Sequence, residues 1–481
     1  MKQYEPVIGL EIHAQLKTKS KIFCLCSSDF NKPPNTSTCE ICLGLPGTLP
    51  VLNREALNLA LKTAIALGCD INPVSSFSRK NYFYPDLPKG FQITQHKHVI
   101  ALNGCIDIDT DSGEKSIRIA RVQIEEDSGK STHVESNNNQ DGYSLIDYNR
   151  CGIPLIEIIT EPDMSSPKEA RFFLNKLKTI LEYIDVCDCN MEEGSLRCDS
   201  NISVKLKDDE KLGVKTELKN LNSFRNIQKA LEYEEKRQLG ILSKGGIISE
   251  DTLMYDDTTG TTRSVRSKEQ SHDYRYFPEP DLVNISISNE KVEKIKRDLP
   301  ELPDDKRKRF IKDYNLSPYD SNVLTMSKNL SNYFETAVSF YNNPKKICNW
   351  ITTELLGNME DVESELLECK LTSRNLAELV KLIDDGKISG KIAKQIFPEL
   401  LSTGETPSEL LKEKGIVQIS DKSEVEKIVI CVIEENSDLV KQIKNGKDRG
   451  IGFLVGQVMK KTKGQANPGL VNKLIRDNIN S

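Results

Sequence analysis

Glu11 and His13 lie two residues apart in the segment Val7–Leu16, and on an extended strand residues two apart share a face. Ile8, Leu10, Ile12, Ala14 and Leu16 take one face; Glu11, His13 and Gln15 take the other, with Val7 and Gly9. A carboxylate and an imidazole side by side over an apolar ridge form a rigid platform for a metal ion or a phosphoryl group. The plainer alternative is a half-buried strand with a solvated polar face. Further along, Glu125, Glu126 and Asp127 follow one another at the end of an Ile117–Glu125 strand pattern. Such carboxylates repel unless a cation or basic groups offset them. Glu157 is set in the apolar run Gly152–Ile159, where an unpaired carboxylate is costly. It needs a metal or a cationic partner, Arg150 being the candidate for a structural ion pair.

Carboxylates with a histidine suit Mg²⁺, which takes oxygen ligands and shares them with substrate phosphates. The pattern Leu196–Leu206 puts Arg197, Asp199, Asn201, Ser203 and Lys205 on one face and Cys198, Ile202 and Val204 on the other. Val214–Lys219 adds Lys215, Glu217 and Lys219. Basic groups on such a face would clamp phosphoryl oxygens. No Walker-type glycine–lysine loop occurs, so a P-loop site is not expected.

The cysteines carry a separate signal. Cys24 and Cys26 are followed, after twelve intervening residues, by Cys39 and Cys42. Two close pairs joined by a loop can close a tetrahedral zinc site. Four thiolates leave no open position, so this metal would hold the loop and do no chemistry. Cys187 and Cys189 lack a second pair and are expected to pack or to lie exposed.

These groups need a scaffold. Strands with one apolar and one mixed-charge face predict an antiparallel sheet backed by helices, its polar face open as a cradle. Ser166, Pro167 and Glu169 read as a capping box opening a helix whose Ala170, Phe173, Leu174, Leu177, Ile180 and Leu181 share a face. A second helix is expected over Asn222–Gln238, and the Asn-rich 135–142 stretch as a loop. Past Pro278–Pro303 the strand patterns give way to helical ones, as in Asn375–Ile383 and Ile451–Lys461. A loop of 463–468 leads to a helix opened by Pro468. The expected fold class is α+β: a catalytic cradle over 1–290, an all-α domain over 291–405 and an α-helical tail over 406–481.

The chain has 481 residues, 29% of them charged, and no apolar run near the roughly 18 residues of a membrane span. The Met1–Pro6 opening has no apolar h-region, so no secretory signal is expected. Thirteen cysteines in a chain of this length are not a small-domain disulfide framework, and a reducing cytoplasm is the expected compartment. The net charge of −6 argues against a nucleic-acid binder over the whole surface, yet residues 441–481 hold nine basic and two acidic side chains, net +7. A basic tail on an acidic body is an electrostatic footprint for a polyanion; ordinary helix-surface lysine is the alternative.

Several segments together resemble the B-subunit family of the aspartyl/glutamyl-tRNA(Asn/Gln) amidotransferases, the GatB/GatE family. They are Val7–His13, Arg79–Gly90, Glu125–His133, Asp147–Ile158, Met191–Asp199, Asp273–Asp281, Gly452–Gln457 and Gly464–Pro468. They run in order over practically the whole chain. The resemblance implies a glutamine-synthetase-like cradle, a helical domain and a YqeY-like tail that binds tRNA. It implies ATP-dependent phosphorylation of the side-chain carboxylate of glutamate or aspartate mischarged on tRNA(Gln) or tRNA(Asn), followed by attack of ammonia. The ammonia would come from a glutaminase A subunit, with a small C subunit completing a heterotrimer. Glu11, His13, Glu125 and Glu157 match the positions expected around Mg²⁺. Lys80, Tyr82, Lys89, Arg150, Arg197 and Asp199 are expected about the nucleotide. Zinc at Cys24, Cys26, Cys39 and Cys42 rests on spacing alone. Two other readings are a non-catalytic tRNA-binding scaffold subunit and a stand-alone ligase using free ammonia. The first has no use for a buried metal-facing Glu157; the second leaves the basic tail unexplained.

Overall fold

The computed structural model describes residues 4–134, 142–267, 274–360, 362–415, 422–444, 449–462, 466 and 468–480. Most of the expected 135–142 loop and of the 463–468 loop lies outside the described residues. The chain forms two compact units, Met1–Leu302 and Pro303–Ser481.

The first unit is built on a 12-stranded sheet. From one edge the order is Thr261–Ser267, Asp251–Asp256, Thr216–Lys219, Leu196–Leu206, Tyr4–Gln15, Pro154–Thr160, Gly113–Glu126, Phe91–Gln95, Phe77–Asn81 and Phe277–Pro278. Ala101–Thr110 also pairs with Gly113–Glu126, and Asp70–Ile71 pairs with Ala101–Thr110. The strand that opens the chain therefore sits near the middle. The expected antiparallel pairing holds except between Thr216–Lys219 and Asp251–Asp256, which run parallel. The helix Phe224–Ser243 joins those two strands, as a parallel crossover requires.

Alternation decides the faces. Ile8, Leu10, Ile12, Ala14 and Leu16 are buried on the helix side of the sheet, in one core with Leu57 and Leu61 of the helix Arg54–Ala66, Phe173 and Leu177 of the helix Pro167–Tyr183, and Ile227 and Leu231 of the helix Phe224–Ser243. Ser166 caps the second of these through the Glu169 amide. The expected capping box is only half formed: the Glu169 carboxylate accepts from the Ser165 amide and from Lys115, not from Ser166. Lys115 is a stronger attraction for it than a second backbone amide. Cys187 and Cys189 are buried in this core. The helix Asn289–Asp298 also belongs here, with Val292 and Ile295 against the core.

The second unit is helical and holds two separate apolar cores. One gathers Phe310, Phe334, Ile351, Leu376, Phe397 and Leu410; the other gathers Val425, Val429, Leu454, Val458, Val471 and Ile475. The helix Pro407–Glu413 packs in the first of these through Leu410 and Leu411. No helix among the described residues is long and apolar enough to cross a membrane.

Candidate active site

Register brings together residues that are far apart in sequence. Arg197, His13, Glu157 and Gln123 are successive cross-strand partners over four neighbouring strands. Glu11 faces Asp199, and Glu125 faces Leu155 on one side and Thr94 on the other. The His13 Nε2 atom lies 3.3 Å from Glu125, 3.9 Å from Glu11 and 4.0 Å from Glu157. Ligand-capable atoms of Glu11, His13 and Glu157 all fall within 4.8 Å of one another. Glu125, against His13, makes the closest contact but stands outside that tight trio. Two supporting residues escape a reading by residue type: Gln123, whose amide donates to Glu157, and Thr94, whose hydroxyl donates to Glu125 at 3.2 Å. Neither carries a charge that would single it out in sequence.

The electrostatics are those of crowded buried acids. Burial opposes a charge on His13, but the hydrogen bond to Glu125 and the charges of Glu125 and Glu157 outweigh it and raise the imidazole to about 9. Burial, then the Glu125 charge, push the Glu157 carboxyl up to about 8. Glu125 is held below the usual carboxylate range, against its burial, by His13 and Lys80. The Gln123 carbonyl oxygen is buried without a partner among the described residues. Three converging acidic side chains and an imidazole, one of the acids disfavoured in its charged form by burial and by its neighbours, fit a hard dication.

The other expected residues divide. Lys80 joins this face: the charges of Glu125 and Glu157 keep its ammonium protonated despite burial. It lies 5.0 Å above the Tyr274 ring and 5.9 Å from that of Tyr82. Tyr82 stands edge-on to Tyr274, with centroids 6.0 Å apart, and burial raises its hydroxyl well above the ordinary value. Arg197 pairs with Asp127 at 2.8 Å, and Gln15 donates to Asp127 at 2.9 Å. Asp199 pairs with Lys219 at 2.6 Å.

Arg150 is not the partner of Glu157. Its guanidinium lies 3.7 Å from Asp127 and donates to the carbonyls of Ser128 and Gly129 at 3.0 and 2.7 Å. Lys89 is not on the His13 face. It pairs with Glu126 at 2.5 Å, and Glu126 points to the opposite side of the sheet from Glu125 because successive residues alternate. The same alternation splits the acidic run: Glu125 belongs with His13, Glu126 with Lys89 and the Ile93 amide, Asp127 with the arginines.

The four cysteines meet as their spacing predicts. One sulfur from each of Cys24, Cys26, Cys39 and Cys42 lies within 4.8 Å of the others. Lys21, fully buried, reaches the Cys42 sulfur at 3.8 Å and the Tyr148 carbonyl at 3.1 Å. The hydrogen bond with Cys24 holds the Cys42 thiol down at about 5, against its burial, and the Lys21 charge acts the same way. Burial pushes Cys26 up to about 11. A zinc ion draws four sulfurs to about 2.3 Å each, and a buried ammonium beside them offsets the excess negative charge of a four-thiolate centre. The residues present fit that metal.

Comparison with known proteins gives the class first. The profile of the GatB/GatE catalytic domain matches residues 6–293 and that of the GatB domain matches residues 332–479. The chain belongs to the GatB/GatE family. Among its relatives, the B subunit of the aspartyl/glutamyl-tRNA(Asn/Gln) amidotransferase of Carboxydothermus hydrogenoformans is 50% identical over 479 residues, covering 100% of this chain and 99% of that protein. The protein of the same name from Thermodesulfovibrio yellowstonii is 51% identical over 473 residues, 98% of each chain. That from Caldanaerobacter subterraneus subsp. tengcongensis is 52% identical over 477 residues, 99% of each.

Proposed function

We propose that this chain amidates glutamate mischarged on tRNA(Gln), aspartate mischarged on tRNA(Asn), or both, at the expense of ATP. The observation that carries the reading is the convergence of Glu11, His13 and Glu157, with Glu125 beside them, on one face of the sheet. A carboxylate is a poor electrophile because its leaving group would be oxide. Phosphorylation supplies a leaving group, and ammonia then displaces phosphate. Glu11, His13, Glu125 and Glu157 would hold Mg²⁺, which when bound offsets the charges of the γ-phosphate and the approaching carboxylate. Lys80 adds positive charge on the same face for phosphoryl oxygens, and Tyr82 shields it from water. Arg197 is held by Asp127 and keeps an Nε donor without a partner among the described residues. Asp199, the cross-strand partner of Glu11, holds Lys219.

In this reading the face is a glutamine-synthetase-like cradle. Zinc at Cys24, Cys26, Cys39 and Cys42 fastens the loop beside it. The second unit divides into a helical domain and a YqeY-like tail that engages tRNA. Ammonia comes from a glutaminase A subunit, with a small C subunit completing a heterotrimer in the cytoplasm. The testing experiment is ATP- and glutamine-dependent amidation of each mischarged tRNA, with and without the partner subunits. Amide formation that needs this chain and ATP is the expected result. Retention of tRNA with no ATP consumed would mark the chain as a scaffold.

A further inference from the structure

Glu157 and Glu125, the two buried acids of the site, are each held by a neutral donor from the next strand. Glu157 and Gln123 are direct cross-strand partners, and so are Glu125 and Thr94. The Gln123 carboxamide donates to Oε2 of Glu157, while Oε1 of Glu157 is the atom facing His13 at 4.0 Å. The same division recurs on Glu125. The Thr94 hydroxyl donates to its Oε2 at 3.2 Å, and its Oε1 faces His13 at 3.3 Å. The single hydrogen of that hydroxyl has a second acceptor in the Gln95 carbonyl at 3.3 Å, so Thr94 is the looser tether. Gln123, Thr94 and both acids are between 2% and 6% exposed, so bulk water does not compete for the tied oxygens.

A carboxylate binds a cation through one oxygen or through both. Both oxygens of one carboxylate subtend a narrow angle at the ion. Ca²⁺, with its large and flexible ligand shell, accepts that arrangement; Mg²⁺ demands a near-ideal octahedron, which a chelating carboxylate distorts. We propose that Gln123, and less firmly Thr94, are positioning residues that set the metal preference of this site. Each keeps one oxygen of its acid occupied, so that Glu157 and Glu125 offer a single oxygen apiece, which suits Mg²⁺ and disfavours Ca²⁺. The inference rests on the reading of Glu11, His13, Glu125 and Glu157 as a divalent-cation site and adds to it the residues that select the ion. The His13 imidazole also disfavours Ca²⁺, which takes oxygen ligands, and the test separates the two contributions.

The test uses the full chain with its partner subunits and no nucleotide. Bound Mn²⁺ is followed by electron paramagnetic resonance and displaced with Mg²⁺ or with Ca²⁺, and Glu157→Gln supplies the background from other sites. Gln123→Met keeps the length of the side chain and removes the donor; Thr94→Val does the same for the hydroxyl. We expect Gln123→Met to raise the affinity for Ca²⁺ relative to that for Mg²⁺ roughly tenfold or more. Thr94→Val should move the ratio the same way by less. Thermal melts check that each variant is folded. Should Gln123→Met not fold, Gln123→Asn, one methylene shorter, carries the same comparison. If both affinities fall together and their ratio stays at the parental value, selection lies with His13, Gln123 is a structural support only, and the proposal is overturned. A parent protein with no Mn²⁺ site that depends on Glu157 would instead overturn the divalent-cation reading, and this proposal with it.

Discussion

Glu157 is the direct cross-strand neighbour of His13, and their side chains approach to 4.0 Å although the two residues lie on strands far apart in the catalytic-domain sequence. The apolar run around Glu157 makes sense in this light. The carboxylate is supported from below by Ile156 and Ile158 in the core and presented to the imidazole above.

Glu157→Gln keeps the volume and the Gln123 contact region but removes the charge. Amidation should fall by about 100-fold or more, exceeding what outer-shell changes around metals commonly cause. The metal-free variant should be no less stable than the parent, since a buried acid crowded by Glu125 is replaced by a neutral amide. Assays of ATP turnover at saturating Mg²⁺ together with thermal denaturation check both halves. His13→Ala should act in the same direction, less severely. Near-parental turnover in Glu157→Gln would remove the metal assignment.

The cysteine quartet should hold about one zinc per chain. Stripping the metal with a chelator, or replacing Cys39 with serine, should lower the melting temperature of the first unit and leave the chemical step unchanged once substrate is bound. Structural zinc contributes on the order of 10–16 kcal/mol to small zinc-dependent folds; here the surrounding core retains part of that order. Elemental analysis of reduced, unchelated protein that finds no zinc would leave four free thiols.

In the second unit, Asp384 accepts from the Tyr341 hydroxyl and the Asn343 amide, both at 2.8 Å, and from the Lys346 ammonium. Burial works against its charge, but the three donors hold the carboxyl below its ordinary range. A carboxylate depressed in the folded state stabilises above its unfolded value, about 3.9, and that stability is lost as pH falls through the lower folded value. Asp384→Asn should therefore cost about 1.5–3 kcal/mol at neutral pH and flatten the acid limb of the stability curve. Denaturant melts at neutral and at acid pH give the comparison.

The basic tail should be required for productive tRNA engagement and dispensable for ATP–Mg²⁺ binding. Leu410 and Leu411 pack in the first helical core, so truncation belongs after residue 415. The shortened chain, in complex with its partners, should show a raised KM for charged tRNA. The affinity of the intact protein should drop steeply with salt, with a slope of about 0.9 per duplex phosphate neutralised. An unchanged KM across a salt series would make the tail charge an ordinary solvated surface.

The local chemistry was legible in sequence wherever period two or period 3.6 governed it. The Tyr4–Gln15 and Leu196–Leu206 strands show the faces their alternation implies, and Ser166 opens its helix. The cysteine pairs meet because their separation is short. What pairing across the sheet decides was not legible. Nothing near Arg150 or Lys89 says that Asp127 and Glu126 claim them, and Gln123 and Thr94 matter only because strands distant in sequence place them under Glu157 and Glu125. The helix Phe224–Ser243 starts near the expected position but runs five residues past Gln238, since nothing before Gly245 breaks it.

The central position of the opening strand also orders events during synthesis. Tyr4–Gln15 is made well before either of its neighbours, Pro154–Thr160 and Leu196–Leu206. Its backbone pairing on both edges cannot be completed until residue 206 has left the ribosome. Such late, long-range pairing makes folding slow and leaves an adhesive strand exposed in the interval. The Glu11–His13 platform is therefore complete only after the strands that carry Glu157 and Arg197 have been made.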